Sequence, residues 1–247
     1  MNRTRALIMT ALSLSLLLLL LAPVRAQKPN KFPHAIERSG DAGTIIATLA
    51  QVSESGFPKE LVERAVAVGV FPKVTTESGP FFSKMIQGYG VISARSETGW
   101  TMPAYYEFMG GGFGNPFAKN DQYGVILLFM TKDAVAGFEK GGVALKGEKK
   151  ALAGPIGNSI TDEQRKQIEG AHILAYAYYN GRLRGTDFGS SFWKNFSLNP
   201  DNKINTPLYG MKGREVLAGK KVEGASIPAG IPAYQEALQK YYGSNNK

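Results

Sequence analysis

Glycines recur at short intervals in the central part of this sequence, and the whole chain contains 29 glycines in 247 residues. In the segment Ile86–Arg95, Gly88 and Gly90 fall on the same face of a predicted strand as Ile92. A glycine inside a strand indicates a bulge or the close approach of another backbone. Because the β-like pattern continues to Phe188, we expect closely spaced backbones in a β-dominated fold.

Apolar runs of strand length support the same fold class. Val66–Phe71 is predicted to be a buried strand stopped by Pro72, and Tyr123–Met130 is a nearly continuous apolar run typical of a core strand. With the helical patterns described next, these runs predict an α+β fold. We expect a single β-dominated domain with a mainly antiparallel sheet, sandwich or barrel-like, and a few short helices at its N- and C-terminal ends.

Helical patterns lie mainly towards the two ends of the chain. The predicted helices are a short amphipathic helix at Asp41–Val52 capped by Ser39 or Asp41, a second that begins at Pro58 and ends near Ala67, and a final one opened by Pro232. Weaker signals predict a short helix after Thr131 or Asp133, a capping box at Thr161–Gln164, a loop after Asn199–Asn202 and a helical turn at Glu215–Gly219.

The clearest local prediction is a β-hairpin. His172–Tyr179 and Arg182–Phe188 flank Asn180-Gly181, a dipeptide that readily takes the two positive φ values of a type I′ turn. The two-residue turn predicts a register that pairs Tyr179 with Arg182, Ala177 with Arg184 and Ala175 with Thr186 on one face, and Tyr178 with Leu183 and Tyr176 with Gly185 on the other. One face should therefore be basic beside an aromatic ring, and the other apolar.

Residues 1–26 have the organisation of a secretory signal peptide. Arg3 and Arg5 precede a long apolar run, and the small-residue pattern at Val24–Ala26 predicts cleavage before Gln27. An uncleaved N-terminal anchor helix is the alternative, since the run approaches the ~20 residues that a membrane span needs. We expect an exported protein, in the periplasm or secreted and peripheral to a membrane, with a linker at 27–40, one domain at 41–243 and a disordered tail at 244–247.

Charge and composition narrow the possible partners and chemistry. Loss of the three arginines in residues 1–26 lowers the net charge from +9 to +6, which still favours anionic surfaces. The chain has no cysteine, which excludes disulfides, a thiolate nucleophile and acylation at the cleavage site. His34 and His172 are too few for a Ser-His-Asp triad or a histidine metal cluster. We therefore expect no enzymatic activity, no metal or cofactor, and no nucleic-acid partner.

Several glycine-centred segments occur in an order that resembles the SYLF domain family. The residues that carry the resemblance are Gly99, Trp100, Pro103, Gly112, Gly114, Gly154, Pro155, Gly181, Gly185, Tyr209 and Gly210, together with Gly69–Pro72 and Gly88–Val91. The ordered set, rather than any single motif, is specific. Gly110–Gly114 is not followed by the Gly-Lys-Ser/Thr of a phosphate-binding loop, so we interpret it as a structural turn.

The resemblance implies a binding module. Eukaryotic members are similar to phosphoinositide-binding and actin-associated modules, while bacterial relatives with signal peptides are implied to bind phospholipids outside the cytoplasm. The hairpin departs from the family pattern, because Arg182-Leu183-Arg184 stands where an apolar, an aromatic and a small residue usually lie between two glycines. The departure leaves two interpretations, a solvent-exposed face or a basic contact surface.

The expected function is non-enzymatic adsorption to an anionic phospholipid or membrane surface. The candidate lipid-binding residues are Arg182, Arg184, Tyr179, Lys194 and Arg95. An envelope or extracellular protein-interaction module that binds an acidic protein or polymer is the alternative. Trp100 is either a core residue or an interfacial anchor, and the preceding glycine and following Met102-Pro103 favour the core.

Overall fold

The computed structural model describes residues 31–52, 56–78, 83–113, 122–136, 143–144, 151–185, 195–222 and 226–243. The helices in this part of the chain are α1 (Pro33–Gln51), α2 (Lys59–Arg64), α3 (Lys132–Ala136), α4 (Asp162–Gln167), α5 (Asn202–Tyr209), α6 (Gly213–Leu217) and α7 (Ala233–Tyr242). The strands are β1 (Ala67–Ser78), β2 (Ser83–Ser96), β3 (Gly99–Trp100), β4 (Ala104–Phe113), β5 (Tyr123–Phe129), β6 (Val143–Ala144), β7 (Ala151–Ala153), β8 (Ile173–Tyr179), β9 (Arg182–Gly185) and β10 (Asn195–Pro200).

These ten strands form one curled sheet, in the order β6-β10-β4-β2-β1-β5-β8-β7, with β3 paired to β2 and β9 paired to β8. Among the described strands, β7 and β8 are the only parallel neighbours. Every residue of β5 is buried, as the apolar run predicted. The structure confirms the α+β, β-dominated fold and shows a half-barrel, the barrel-like form of the prediction.

Strand β1 continues past the proline that was expected to end it. Its pairing with β2 shifts in register between Val70 and Lys73, so Pro72 lies in a bulge and the strand runs on to Ser78. A bulge accommodates proline because the missing N–H removes no ladder hydrogen bond there. Gly90 lies beside the same bulge, and a Cβ atom on it would overlap the carbonyl oxygen of Val70. The central glycines thus permit the close backbone approach that the sequence predicted.

Helix α1 begins at Pro33, eight residues before the predicted start at Asp41, so residues 33–40 are helix and the predicted linker 27–40 was wrong there. Ser39 does not cap α1. Its buried hydroxyl donates to the Ile231 carbonyl (2.6 Å) and accepts from the Tyr234 amide (3.2 Å), which stabilises the start of α7 instead. Small residues such as Gly43 line the contact between these helices, and a stripe of small residues is not recognisable as an apolar face.

Helix α5 occupies the region predicted as a loop after Asn202. Its sequence contains Pro207 and few apolar residues, so helical periodicity is weak. Buried Asn205 fixes the helix against β4, because its side-chain amide donates to the Tyr105 carbonyl (2.8 Å) and accepts from the Tyr105 amide (2.9 Å). The helix therefore depends on a tertiary contact across 100 residues of sequence, which local patterns do not contain.

The shorter predicted elements are confirmed where the structure describes them. Thr161 and Gln164 form a reciprocal capping box at the start of α4, with side-chain to backbone distances of 3.2 and 3.0 Å. Thr131 accepts a hydrogen bond from the Ala134 amide and so caps α3. Pro232 immediately precedes α7, whose Tyr234, Leu238 and Tyr242 side chains are buried. In the described ranges, no helix combines the length and apolar character needed to cross a bilayer.

Candidate anion-binding hairpin

The β8–β9 hairpin forms with the predicted register. Tyr179 pairs with Arg182, Ala177 with Arg184, Tyr178 with Leu183 and Tyr176 with Gly185, while the predicted partner of Ala175, Thr186, lies outside the described residues. The turn has φ values of 48° at Asn180 and 79° at Gly181, the two positive angles that a type I′ turn requires. The Asn-Gly dipeptide therefore determines which side chains share each face.

One face of the hairpin is exposed and basic. Arg182 and Arg184 are exposed on one face of β9, and the Tyr179 ring beside Arg182 is 53% exposed. Leu183 between the arginines points to the opposite face, where it is buried. Two guanidinium groups with an exposed phenol can make several hydrogen bonds to a phosphate while the ring lies at an interface. We call Tyr179, Arg182 and Arg184 the basic hairpin face.

Buried packing on the other face holds the hairpin in place. The Tyr176 ring meets the Phe57 ring edge to face with centroids 5.1 Å apart, and the Tyr176 hydroxyl donates to the Pro155 carbonyl at 3.2 Å. A Cβ atom on Gly154 would overlap the Tyr176 ring, and one on Gly185 would overlap the Gly154 carbonyl oxygen. Burial raises the pKa of Tyr176 far above its ordinary value, so the phenol keeps its proton, and its hydrogen bond to Pro155, into the alkaline range.

Arg95 does not belong to the basic hairpin face. In the sheet order, β1, β5 and β8 separate its strand β2 from β9. Its guanidinium donates to the backbone carbonyls of Ala65, Val62 and Tyr242, each at 3.1 Å, and stacks 4.3 Å from the Trp100 ring centroid. Burial lowers the pKa of Arg95, although not enough to remove its charge at neutral pH. The structure thus gives Arg95 an internal role in place of the lipid contact predicted for it.

Trp100 is a core residue, as favoured by its sequence context, and is 3% exposed. Its backbone carbonyl accepts a hydrogen bond from the Gln235 side chain at 2.6 Å, which connects β3 to α7. A tryptophan covered by an arginine and a helix presents no ring to a membrane. Lys194 and Gly114 lie outside the described residues. Gly110–Gly112 belong to strand β4 and pair with β2, so the structural turn predicted for Gly110–Gly114 was wrong at these residues.

A second group of charges, not identified from the sequence, lies around the first half of α1 and is internally paired. Arg38 contacts Asp201 at 2.9 Å, and Lys73 contacts Glu37 at 3.3 Å and Asp41 at 3.6 Å. Hydrogen bonding to Glu37 raises the pKa of Lys73. Glu37 and Asp41 are four residues apart, which places them on the same face of a helix. This signal could not be recognised from the sequence, because the helix was predicted to begin only at Asp41.

Comparison with known proteins decides the family. A family model described as Ysc84, Las17-binding protein actin regulator, matches residues 110–241, just over half of the chain. The chain belongs to the Ysc84 (SYLF) family. The resemblance seen in the sequence is therefore confirmed, and the match contains the whole β8–β9 hairpin. No curated protein and no solved structure matched the chain.

The glycines and aromatic residues that resemble the SYLF pattern occupy structural positions. Gly99 has φ +127° in the turn between β2 and β3, and Gly210 has φ +72° at the end of α5. The Tyr209 hydroxyl donates to the Pro103 carbonyl at 2.8 Å and so joins α5 to the β3–β4 connection. Arg182 and Arg184 lie on β9, within the residues that the family model matches, and they are exposed.

Proposed function

We propose that this SYLF protein is an exported, non-catalytic module that adsorbs to anionic phospholipid surfaces through the basic hairpin face. The observation that carries the proposal is the hairpin register, which places Arg182, Arg184 and Tyr179 together on one exposed face. Family membership supports it, since the Ysc84 (SYLF) family is associated with lipid or actin-related binding. The net charge of +6 that remains without residues 1–26 favours approach to an anionic surface.

The expected adsorption is weak and sensitive to salt. Each basic residue near an anionic membrane contributes roughly 1 kcal/mol, so two arginines increase the partition coefficient by about 30-fold. The attraction declines within a Debye length, which is about 8 Å at physiological ionic strength. Adsorption should therefore be measurable at low salt and largely lost when the salt concentration is raised.

Vesicle co-sedimentation tests the proposal with the protein as isolated from its producing cell. We expect binding to phosphatidylglycerol-containing vesicles and little binding to pure phosphatidylcholine vesicles. Arg182→Glu with Arg184→Glu should reduce binding by about 30-fold or more, because it removes the attraction of both arginines and adds repulsion. The matched control is Lys59→Glu with Lys203→Glu, which makes the same change in net charge at exposed helical positions. Equal losses in the two double variants, or equal binding to neutral vesicles, would contradict the hairpin as the contact.

Export is proposed from the N-terminal sequence and has a separate test. A secretory signal at residues 1–26 predicts that the protein from the producing cell begins at Gln27 and is found outside the cytoplasm. N-terminal sequencing of that protein checks both the cleavage position and the alternative of an uncleaved anchor. A protein that still begins at Met1 would contradict cleavage, and it would be anchored to the membrane by residues 1–26 instead of being peripheral to it.

A protein partner is the second candidate function, and the family description favours it because it names a protein, Las17, as the partner. The basic hairpin face would then contact an acidic protein or polymer outside the cytoplasm. The two functions are separated by binding to polyglutamate in the absence of lipid, compared with binding to anionic vesicles. A partner interaction predicts polymer binding that the hairpin double variant abolishes, whereas vesicle adsorption without polymer binding favours the membrane.

A further inference from the structure

A second feature, separate from the hairpin, is a cavity of about 630 Å³ between α2 and α4. It lies where β5 leaves the sheet at Met130 and β8 begins after Ala171. A cavity of this volume is within the range of small-molecule sites in proteins, roughly 300–1,000 Å³. The hairpin turn is at the opposite end of β8, so the two features do not overlap.

The inner wall of the cavity is apolar. Leu61 from α2 and Leu174 from β8 are fully buried behind it, and Ala171 is 6% exposed. Met130 and Ile168 are partly buried and contribute the accessible part of the wall. An apolar wall that remains open to solvent is stabilised when a hydrocarbon group covers it.

The rim of the cavity is charged. Arg165 is paired with Glu60 at 3.2 Å, and Glu60 also accepts a hydrogen bond from the Ile160 amide. Arg64 and Lys166 are exposed, and no ion pair is found for either within the described ranges. The rim cations are Arg64, Arg165 and Lys166, and the rim carboxylates are Asp162 and Glu169. With Glu60, the partner of Arg165, the carboxylates and cations around the rim are equal in number, and Arg64 and Lys166 are the cations offered to a ligand.

We propose that this cavity binds a monoanionic, single-chain amphiphile of the fatty acid class. The alkyl chain lies against Met130 and Ile168, and the carboxylate contacts Arg64 and Lys166 at the rim. The surroundings offer such a ligand an apolar wall for its chain and two rim cations, Arg64 and Lys166, for which no ion pair is found in the described ranges. The site is independent of the proposed adsorption, because none of its lining residues belongs to the basic hairpin face.

Isothermal titration calorimetry with decanoate, well below its micelle-forming concentration, tests the site. We expect one decanoate per chain, and about fourfold tighter binding for each methylene added between hexanoate and decanoate. Decanol should bind about tenfold more weakly than decanoate, because it lacks the charge that Arg64 and Lys166 would contact. Binding of decanol with equal affinity, or no heat of decanoate binding at millimolar concentration, would overturn the proposal.

Charge reversal locates the ligand. Arg64→Glu with Lys166→Glu should weaken decanoate binding by tenfold or more while changing decanol binding by less than threefold. Lys59→Glu with Lys203→Glu makes the same change in net charge at positions outside the cavity lining, so it is the matched control and should leave decanoate affinity unchanged. An equal loss in this control would show that only net charge matters and would overturn the site.

The hairpin variant separates this inference from the proposed function. Arg182→Glu with Arg184→Glu should abolish vesicle adsorption and leave decanoate affinity unchanged. Loss of decanoate binding in that variant would assign the ligand to the hairpin and overturn the cavity site. Vesicle adsorption that fails in the unmodified protein, with decanoate still bound, would reject the proposed function and support the cavity.

Discussion

Two regions of this protein place arginine beside an aromatic ring on a strand, and the two arrangements differ in what surrounds them. Arg95 stacks on buried Trp100 and donates to three backbone carbonyls. Arg182 and Arg184 lie near half-exposed Tyr179 at the edge of the sheet and face solvent. The same pair of residue types therefore holds structural elements together inside the protein in one place and lies on an exposed surface in the other.

The difference arises from the helices that pack against β2. The carbonyls that bind Arg95 come from the end of α2, at Val62 and Ala65, and from the end of α7, at Tyr242. Helix C-termini carry unpaired carbonyls and a partial negative charge, so a guanidinium there satisfies several acceptors at once. No helix end among the described residues is placed in this way against β9.

The largest effect that this comparison predicts is on folding. Arg95→Met should lower the free energy of unfolding by about 3 kcal/mol, because it removes the charged donor from partly buried helix-end carbonyls and the contact with Trp100. Urea denaturation followed by tryptophan fluorescence measures this. Arg95→Lys should recover only part of the loss, since an ammonium group cannot reproduce the planar fork of donors.

Arg182→Met is the matched control for Arg95→Met. It removes an arginine from an exposed strand position and should change the free energy of unfolding by less than about 0.5 kcal/mol. If Arg95→Met and Arg182→Met lower the free energy of unfolding equally, the distinction between an internal Arg95 and an exposed Arg182 is wrong. Vesicle adsorption of folded Arg95→Met should equal that of the unmodified protein, and a marked loss would return Arg95 to the lipid contact.

The packing beneath the hairpin gives the next largest effect. Gly154→Ala places a methyl group into the Tyr176 ring, and we expect a loss of about 2 kcal/mol in the free energy of unfolding. Because β7 and β9 meet at this point, the variant should also weaken vesicle adsorption by displacing β9. Tyr176→Phe keeps the ring and removes only the hydrogen bond to Pro155, so a loss of about 1 kcal/mol is expected.

Alkaline pH provides a smaller test of the region that contains Arg95. Burial raises the pKa of Tyr242 to about 12 from its ordinary value of 10.0. Because the pKa of Tyr242 is higher in the folded than in the unfolded state, the protonated phenol contributes its full stability below pH 10, and this contribution is lost as the pH rises towards 12. Stability should fall by roughly 1.4 kcal/mol per pH unit from this group in that interval.

Tyr242→Phe isolates that contribution. The urea midpoint of the variant should depend less on pH between 10 and 12 than that of the unmodified protein, since one fewer buried phenol ionises on unfolding. Identical pH profiles for the two proteins would mean that Tyr242 is not buried at the end of α7.

The hairpin was predictable from the sequence because its determinants are local. Asn180-Gly181 specifies the turn, and the strict alternation of side chains then fixes the faces without reference to the rest of the fold. The capping box at Thr161 and the core strand β5 were predictable for the same reason. Exposure of the basic hairpin face also follows from the strand pattern, since Leu183 alone faces the core between two arginines.

The start of α1, the continuation of β1 and the role of Arg95 were not predictable, because each depends on a distant partner. Ser39 bonds to Ile231, 192 residues away, and Arg95 bonds to Tyr242, 147 residues away. The local sequence around Pro72 predicts the end of a strand. In the structure Pro72 lies in a bulge of β1, because β2 and β5 pair with this strand on its two sides. The cavity between α2 and α4 combines residues from three separate segments, 61–64, 130–131 and 162–174, none of which forms a motif for a ligand site.

The smallest expected effect is on stability, and it separates a contact surface from a structural one. Arg182→Ala with Arg184→Ala should change the free energy of unfolding by less than about 1 kcal/mol, because both side chains are exposed on an edge strand. The same variant should nevertheless reduce adsorption to phosphatidylglycerol vesicles by about 30-fold at low salt, since each arginine contributes roughly 1 kcal/mol. A large loss of stability with unchanged adsorption would reverse the roles, making the hairpin arginines structural and leaving the membrane contact elsewhere. Unfolding and sedimentation measured on the same preparation therefore distinguish the two, because an exposed contact residue affects binding without affecting folding.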